Sequence, residues 1–171
     1  MVVLRRTRKL AKALPASGDI AASSTTALGD WYVNRLSVDR RPLLLLVSSQ
    51  GLLPILLPAR DVSLLPTRLP DIVGTRLRRF GISPVVIEAE VRGMSPVIVA
   101  DTADRSVVGI MVDFAKGVPF HLEPGAWDDS TLPFVEARLA ETPCHSGRGF
   151  EDVVFPNQQT PQLLDARWGA G

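Results

Sequence analysis

The stretch W-Y-V-N-R-L-S-V-D-R-R-P-L-L-L-L-V-S-S-Q-G-L-L-P-I-L-L-P, Trp31 to Pro58, decides the fold. Trp31, Val33, Leu36 and Val38 stand among polar residues in near-alternation, the pattern of a half-buried strand. Asp39-Arg40-Arg41-Pro42 interrupts with charge and a proline, which suits a turn. Leu43 to Val47 is a continuous apolar run, too short for a helix and bounded by breakers, and reads as a central strand. Ser48-Ser49-Gln50-Gly51 makes a second turn. Leu52 to Leu57 makes a third strand, which Pro54 confines to an edge or a bulge because it cannot donate to a ladder. The stretch therefore predicts a three-stranded antiparallel meander.

Outward from it, Val2-Val3-Leu4 is a short β-like run. Thr7 precedes Leu10, Ala11 and Leu14 at helical spacing, with Pro15 as a stop. Residues 16–30 lack periodicity and read as a loop. On the other side, Leu69, Ile72, Val73, Leu77 and Phe80 share one helical face, and two prolines before them predict a late start. Ser83-Pro84 opens a second short helix that Gly93 closes. Pro96 to Ala100 returns to strand character. Asp101 to Asp104 offers capping oxygens for a helix whose stripe is Val107, Ile110, Met111, Phe114 and Val118. A last helix is predicted over 132–141, with Leu132, Val135 and Leu139 inward. Residues 1–143 thus read as a single α+β domain, an antiparallel β-meander sheet with helices packed on it. From Cys144 the periodicity fades, and residues 144–171 read as a poorly ordered or variable tail.

Composition narrows the class. In 171 residues, 46% are apolar and 22% charged, a globular balance, and a net charge of +1 exerts no global pull on nucleic acid or anionic lipid. One cysteine allows no internal disulfide and suits a reducing cytoplasm. No apolar run is long enough to span a bilayer, so a cytoplasmic protein without a membrane partner is expected. Charge is uneven locally: residues 1–12 carry five basic groups and no acid, whereas 123–152 carry seven acids against Arg138 and Arg148.

Three stretches form a familiar set: R-R-T-R-K-L at Arg5 to Leu10, G-D-W-Y-V-N at Gly29 to Asn34, and D-R-S-V-V-G-I-M-V-D-F at Asp104 to Phe114. With L-P-A-R-D at Leu57 to Asp61 and L-A-E-T-P-C at Leu139 to Cys144, they resemble an uncharacterised bacterial family, a domain of unknown function. The resemblance spans about residues 1–144 and implies a coherent domain without an established activity. Val112 and Ile110 stand where that pattern suggests polar residues, which thins any site around Asp113.

Two sets of residues are candidates for function. On the wheel of the 105–117 helix, Ser106, Gly109 and Asp113 share a flank with Arg105 nearby. They would make a small polar notch for a ligand or a protein partner, with Gly109 admitting a close neighbour. Arg5, Arg6, Arg8 and Lys9, with Arg40 and Arg41 at the hairpin tip, would form a phosphate-binding face if the N-terminal helix packed near that tip. Trp31 and Asn34 differ by an odd number and so point to opposite faces of a strand. Cys144-His145 is too close in sequence for a catalytic pair, and with His121 as the other histidine no zinc spacing exists. No P-loop, dinucleotide fingerprint or nucleophile elbow appears, so no catalytic residue, metal or cofactor is assigned. The residues favour a non-enzymatic binding or regulatory module with an unidentified partner, ahead of a nucleic-acid-associated protein and of an enzyme.

Overall fold

The computed structural model describes residues 1–145 and 153–169. Strands β1 (Val2–Arg6), β2 (Trp31–Val38), β3 (Arg41–Ser48), β4 (Pro54–Pro58) and β5 (Val97–Asp101) form one sheet in the order β4-β3-β2-β1-β5. The meander is present: β2 and β3 pair antiparallel from Trp31 opposite Ser48 to Val38 opposite Arg41, and β3 pairs β4 with Leu45 opposite Leu56. β4 is an edge strand, where Pro54 is tolerated.

The sheet is mixed, which corrects the expectation of an antiparallel one. β1 runs parallel to β2, with Leu4 opposite Trp31, and parallel to β5, with Val3 opposite Ile98. Both pairings rest on long connections. Residues 7–30 join β1 to β2, and two helices join β4 to β5, so each crossover returns the chain to the same end of the sheet. Strand periodicity in residues 2–4 and 97–99 identifies strands but carries no direction.

Each inner strand is buried on both faces. Trp31, Val33, Leu44, Leu46 and Ile55 point to one face, where helices α1 (Leu65–Arg78), α2 (Pro84–Gly93) and α5 (Pro156–Trp168) cover them. Tyr32, Leu43, Leu45, Val47 and Leu56 point to the other, beneath α3 (Arg105–Gly117) and α4 (Leu132–Ala140). Trp31 and Asn34 accordingly lie on opposite faces: Trp31 is core, and the Asn34 amide oxygen accepts from the Thr7 hydroxyl at 2.7 Å. β6 (Cys144–His145) and β7 (Val153–Val154) pair antiparallel in a second, two-stranded sheet.

Three local expectations change. α1 starts at Leu65, before the predicted point, with Pro66 in its first turn and Pro70 inside it. An interior proline costs roughly 3 kcal/mol. Burying Leu65, Leu69, Val73 and Leu77 returns about 1.5–3 kcal/mol each, so packing prevails. Residues 8–10 form a 3-10 turn instead of a helix, and Leu10 and Leu14 still reach the core. The largest change concerns the end of the chain. Residues 156–168, expected to be poorly ordered, form α5, in which Leu164 is fully buried and Leu163 and Trp168 pack on the same core. A helix held by three apolar contacts and hydrogen bonds needs no continuous stripe, which is why its pattern was silent. The rest of the expected tail, 146–152 and 170–171, lies outside the described residues.

Candidate functional site

A buried charge marks the place on the molecule best furnished to hold something. In α4, Leu132, Val135, Glu136 and Leu139 occupy one helical face, and Glu136 goes inward with its apolar neighbours. Its carboxylate reaches the C-terminal turn of α1, where the Arg76 Nε–H donates to both carboxylate oxygens, at 2.9 and 3.1 Å. Both side chains are largely buried, at 16% and 8% exposure. Burial pushes the Glu136 carboxyl above its ordinary value, against the pull of the Arg76 guanidinium.

Beside this pair opens a cleft of about 290 Å³. Leu53 and Pro54 stand at the entry to β4, α1 supplies Arg76 and the residues just after it Arg79 and Phe80, and α4 supplies Pro133, Ala137 and Ala140. Asn157, in the first turn of α5, closes one side, and its Oδ1 is buried beneath the surface with no hydrogen-bond partner among the described residues. An unpaired buried amide oxygen costs about 1–3 kcal/mol. Arg76 is fastened through Nε, its terminal nitrogens make no hydrogen bond among the described residues, and exposed Arg79 lines the same cleft. The lining combines one fixed cation, Arg76, one exposed cation, Arg79, and an apolar floor, which is what orients a small ligand.

The chain matches the family model described as a domain of unknown function, DUF6933, over residues 3–159. It belongs to that family. No curated protein and no solved structure matches it. The DUF6933 match runs past residue 143 into α5, so the family's extent includes Asn157 and the cleft.

The residues singled out from sequence are distributed differently on this DUF6933 domain. Asp104 caps α3, accepting from the Ser106 backbone N–H at 2.8 Å and from its hydroxyl at 2.7 Å, so Ser106 is occupied by the cap. The Asp104 N–H in turn donates to the buried Tyr32 hydroxyl at 2.9 Å. Arg105, Ser106, Gly109 and Asp113 are all exposed. The close neighbour expected at Gly109 is missing among the described residues: a methyl there meets none of their atoms within 4 Å. Asp113 joins a second, smaller cleft of about 150 Å³ with His121, Cys144 and His145. There burial, and then the Asp113 carboxylate, push the Cys144 thiol up to about 11, so it stays protonated near neutrality. Among the described residues no three His, Cys, Asp or Glu side chains gather closely enough to hold a metal ion, and no helix is long and apolar enough to cross a membrane.

The basic residues divide into buried and exposed sets. Arg5 is 3% exposed and pairs with Asp30 while donating to the carbonyls of Asp101, Ile20 and Ala22. Arg6 is also buried, bonded to the Leu14 carbonyl and the Asp101 carboxylate. Arg41 stacks over Trp127, 4.6 Å from the ring centroid, and donates to its carbonyl at 2.8 Å. Arg8, Lys9 and Arg40 are exposed, as is Arg41 itself.

Glu136, Arg76 and Asn157 escaped the sequence reading. The available signal was an acid inside an apolar stripe at i, i+3, i+4, i+7, which applies equally to Glu90 behind Val86 and Ile87 in α2. Nothing in the sequence announces Asn157.

Proposed function

We propose that this DUF6933 domain is a non-enzymatic binding module whose ligand sits in the cleft between α1, α4 and α5. The observation that carries the reading is the Arg76–Glu136 pair, which fixes a guanidinium in the wall of the cleft. A buried pair of this kind is weak as a stabilising device, since hydrophobic replacements often do as well. Its value lies in holding a cation in a set orientation, which binding rewards. The described lining holds no nucleophile hydrogen-bonded to a base, so recognition is better supported than catalysis.

The nucleic-acid reading draws less support. Arg5 and Arg6 spend their guanidinium groups inside the fold, and exposed Arg41 is engaged with Trp127, which leaves Arg8, Lys9 and Arg40 as the exposed, uncommitted remainder of the expected face.

Fragment screening by NMR on the full chain tests the cleft. Hits should shift the amides of Arg76, Phe80, Ala137 and Asn157, and should vanish in Ala137→Trp, which fills the cleft from an exposed helix position. Hits that shift other surfaces and survive Ala137→Trp would refute the assignment.

A further inference from the structure

On the reading that the cleft is a ligand site, its charge and its lining select a ligand class. Two arginines line it. Arg76 is held by Glu136 through Nε, and its terminal nitrogens make no hydrogen bond among the described residues. Arg79 is exposed, and its charge helps to pull the Glu136 carboxyl down, so the two guanidinium groups act on one small region. Glu141, also in the wall, is paired with Arg138 at 3.5 Å, and that pair is neutral. What remains is two guanidinium groups against the one carboxylate of Glu136, an excess of one positive charge. A planar guanidinium offers paired N–H groups that fit a carboxylate. One negative charge matches the excess, whereas a dianion would bring a second, unneutralised charge towards buried Glu136. Leu53, Phe80, Pro133 and Ala140 line the same space with apolar surface, which a bare inorganic anion would leave unused. At about 290 Å³ the space is at the small end of ligand sites.

We propose that the cleft binds a small monocarboxylic acid with an apolar body, its carboxylate paired with Arg76 and Arg79 and its hydrocarbon end against Phe80 and Pro133. The carboxylate takes up the positive charge that Glu136 leaves over. Glu136 acts through Arg76: by occupying Nε it leaves the terminal pair of nitrogens for the ligand. The hydrocarbon exchanges water for the apolar floor.

NMR titration of the full chain near neutral pH with 4-methylpentanoate tests this, run beside 4-methylpentanamide, which keeps the shape and lacks the charge, and inorganic phosphate, which lacks the hydrocarbon. The acid should shift the amides of Arg76, Phe80 and Ala137. The amide should bind about tenfold or more weakly, since it forfeits charged hydrogen bonds, and phosphate likewise, since it forfeits the apolar contact. Arg79→Met, at an exposed position, should bring the acid down towards the amide's affinity while leaving the melting temperature unchanged. Arg78→Met removes the same charge from an exposed position that lines a different groove, between α1 and α2, and should leave affinity for the acid unchanged. Equal binding of acid and amide, or of acid and phosphate, would overturn the ligand class, as would equal effects of the two arginine substitutions. Fragments that still shift the cleft while the acid does not would overturn the class and keep the cleft. Failure of the acid, the amide and every fragment to shift it would overturn both.

Discussion

The Trp168 indole Nε1–H donates to the Glu90 carboxylate at 2.6 Å, joining α5 to α2. Glu90 is 1% exposed and also accepts the backbone N–H groups of Ala27 and Leu28, at 3.0 and 3.1 Å. One buried carboxylate therefore ties the end of the chain, the second helix and the loop before β2 together. Trp168→Phe should cost about 1–3 kcal/mol, because it leaves a buried charged acceptor short of a donor. Leu164→Ala should cost about 2–5 kcal/mol. Ending the chain at residue 143 should lower the melting temperature by far more than a few degrees. Urea denaturation and thermal melts decide it, and a shortened chain that melts with the full one would show that α5 contributes nothing.

Gly109 lies on the exposed side of α3, with no atom of the described residues within 4 Å of where a Cβ would stand. Glycine inside a helix costs about 1 kcal/mol relative to alanine. Gly109→Ala should therefore raise the urea midpoint by about that free energy at unchanged slope. A lower midpoint would mean that something packs on this flank.

The Arg5 guanidinium separates structural from surface charge in the basic segment. Replacing it by Met strips the largely buried Asp30 of its ion-pair partner, and breaking a buried pair from one side costs roughly 3–5 kcal/mol. Arg8→Glu, at an exposed position, should change stability by less than about 0.5 kcal/mol. Equal effects of the two substitutions in chemical denaturation would contradict this division.

Glu136 gives stability a pH dependence of definite sign. Burial, the leading cause, holds its folded-state carboxyl above the ordinary 4.5, so between that value and the folded one the native state binds the extra proton. Its contribution is fully present below about 4.5 and is lost as pH rises through the folded value. Asp39 is shifted the other way, lowered first by the Gly125 N–H and then by the Trp127 indole, and its contribution is lost as pH falls below 3.8. The two windows lie on opposite sides of the ordinary carboxylate range. Glu136→Gln should flatten the decline above pH 4.5 and leave the acid limb intact, as read from denaturation midpoints across pH.

The local elements were legible wherever one periodicity ruled. Leu43 to Val47 needs burial on both sides and so reads as an inner strand. Ser83-Pro84 and Asp104 mark helix starts, and α2 and α3 begin there. Pro54 names its own strand as an edge. These features follow from backbone geometry and from single-residue hydrophobicity, which act over a few residues. Only the tertiary structure decided the rest. The parallel course of β1 depends on where residues 7–30 and the α1–α2 crossover deliver the chain. α5 is held by partners, Glu90 among them, more than sixty residues away in sequence, and its own pattern carries too little amphipathicity to reveal it. Arg5 and Arg6 look like a surface cluster until Asp30, Asp101 and the surrounding carbonyls close on them. The cleft exists because Arg76, Glu136 and Asn157, from three separate helices, meet at one edge of the sheet. Desolvation and charge pairing depend on which groups end up adjacent, and adjacency at that range is set by packing of the whole chain, not by the order of its residues.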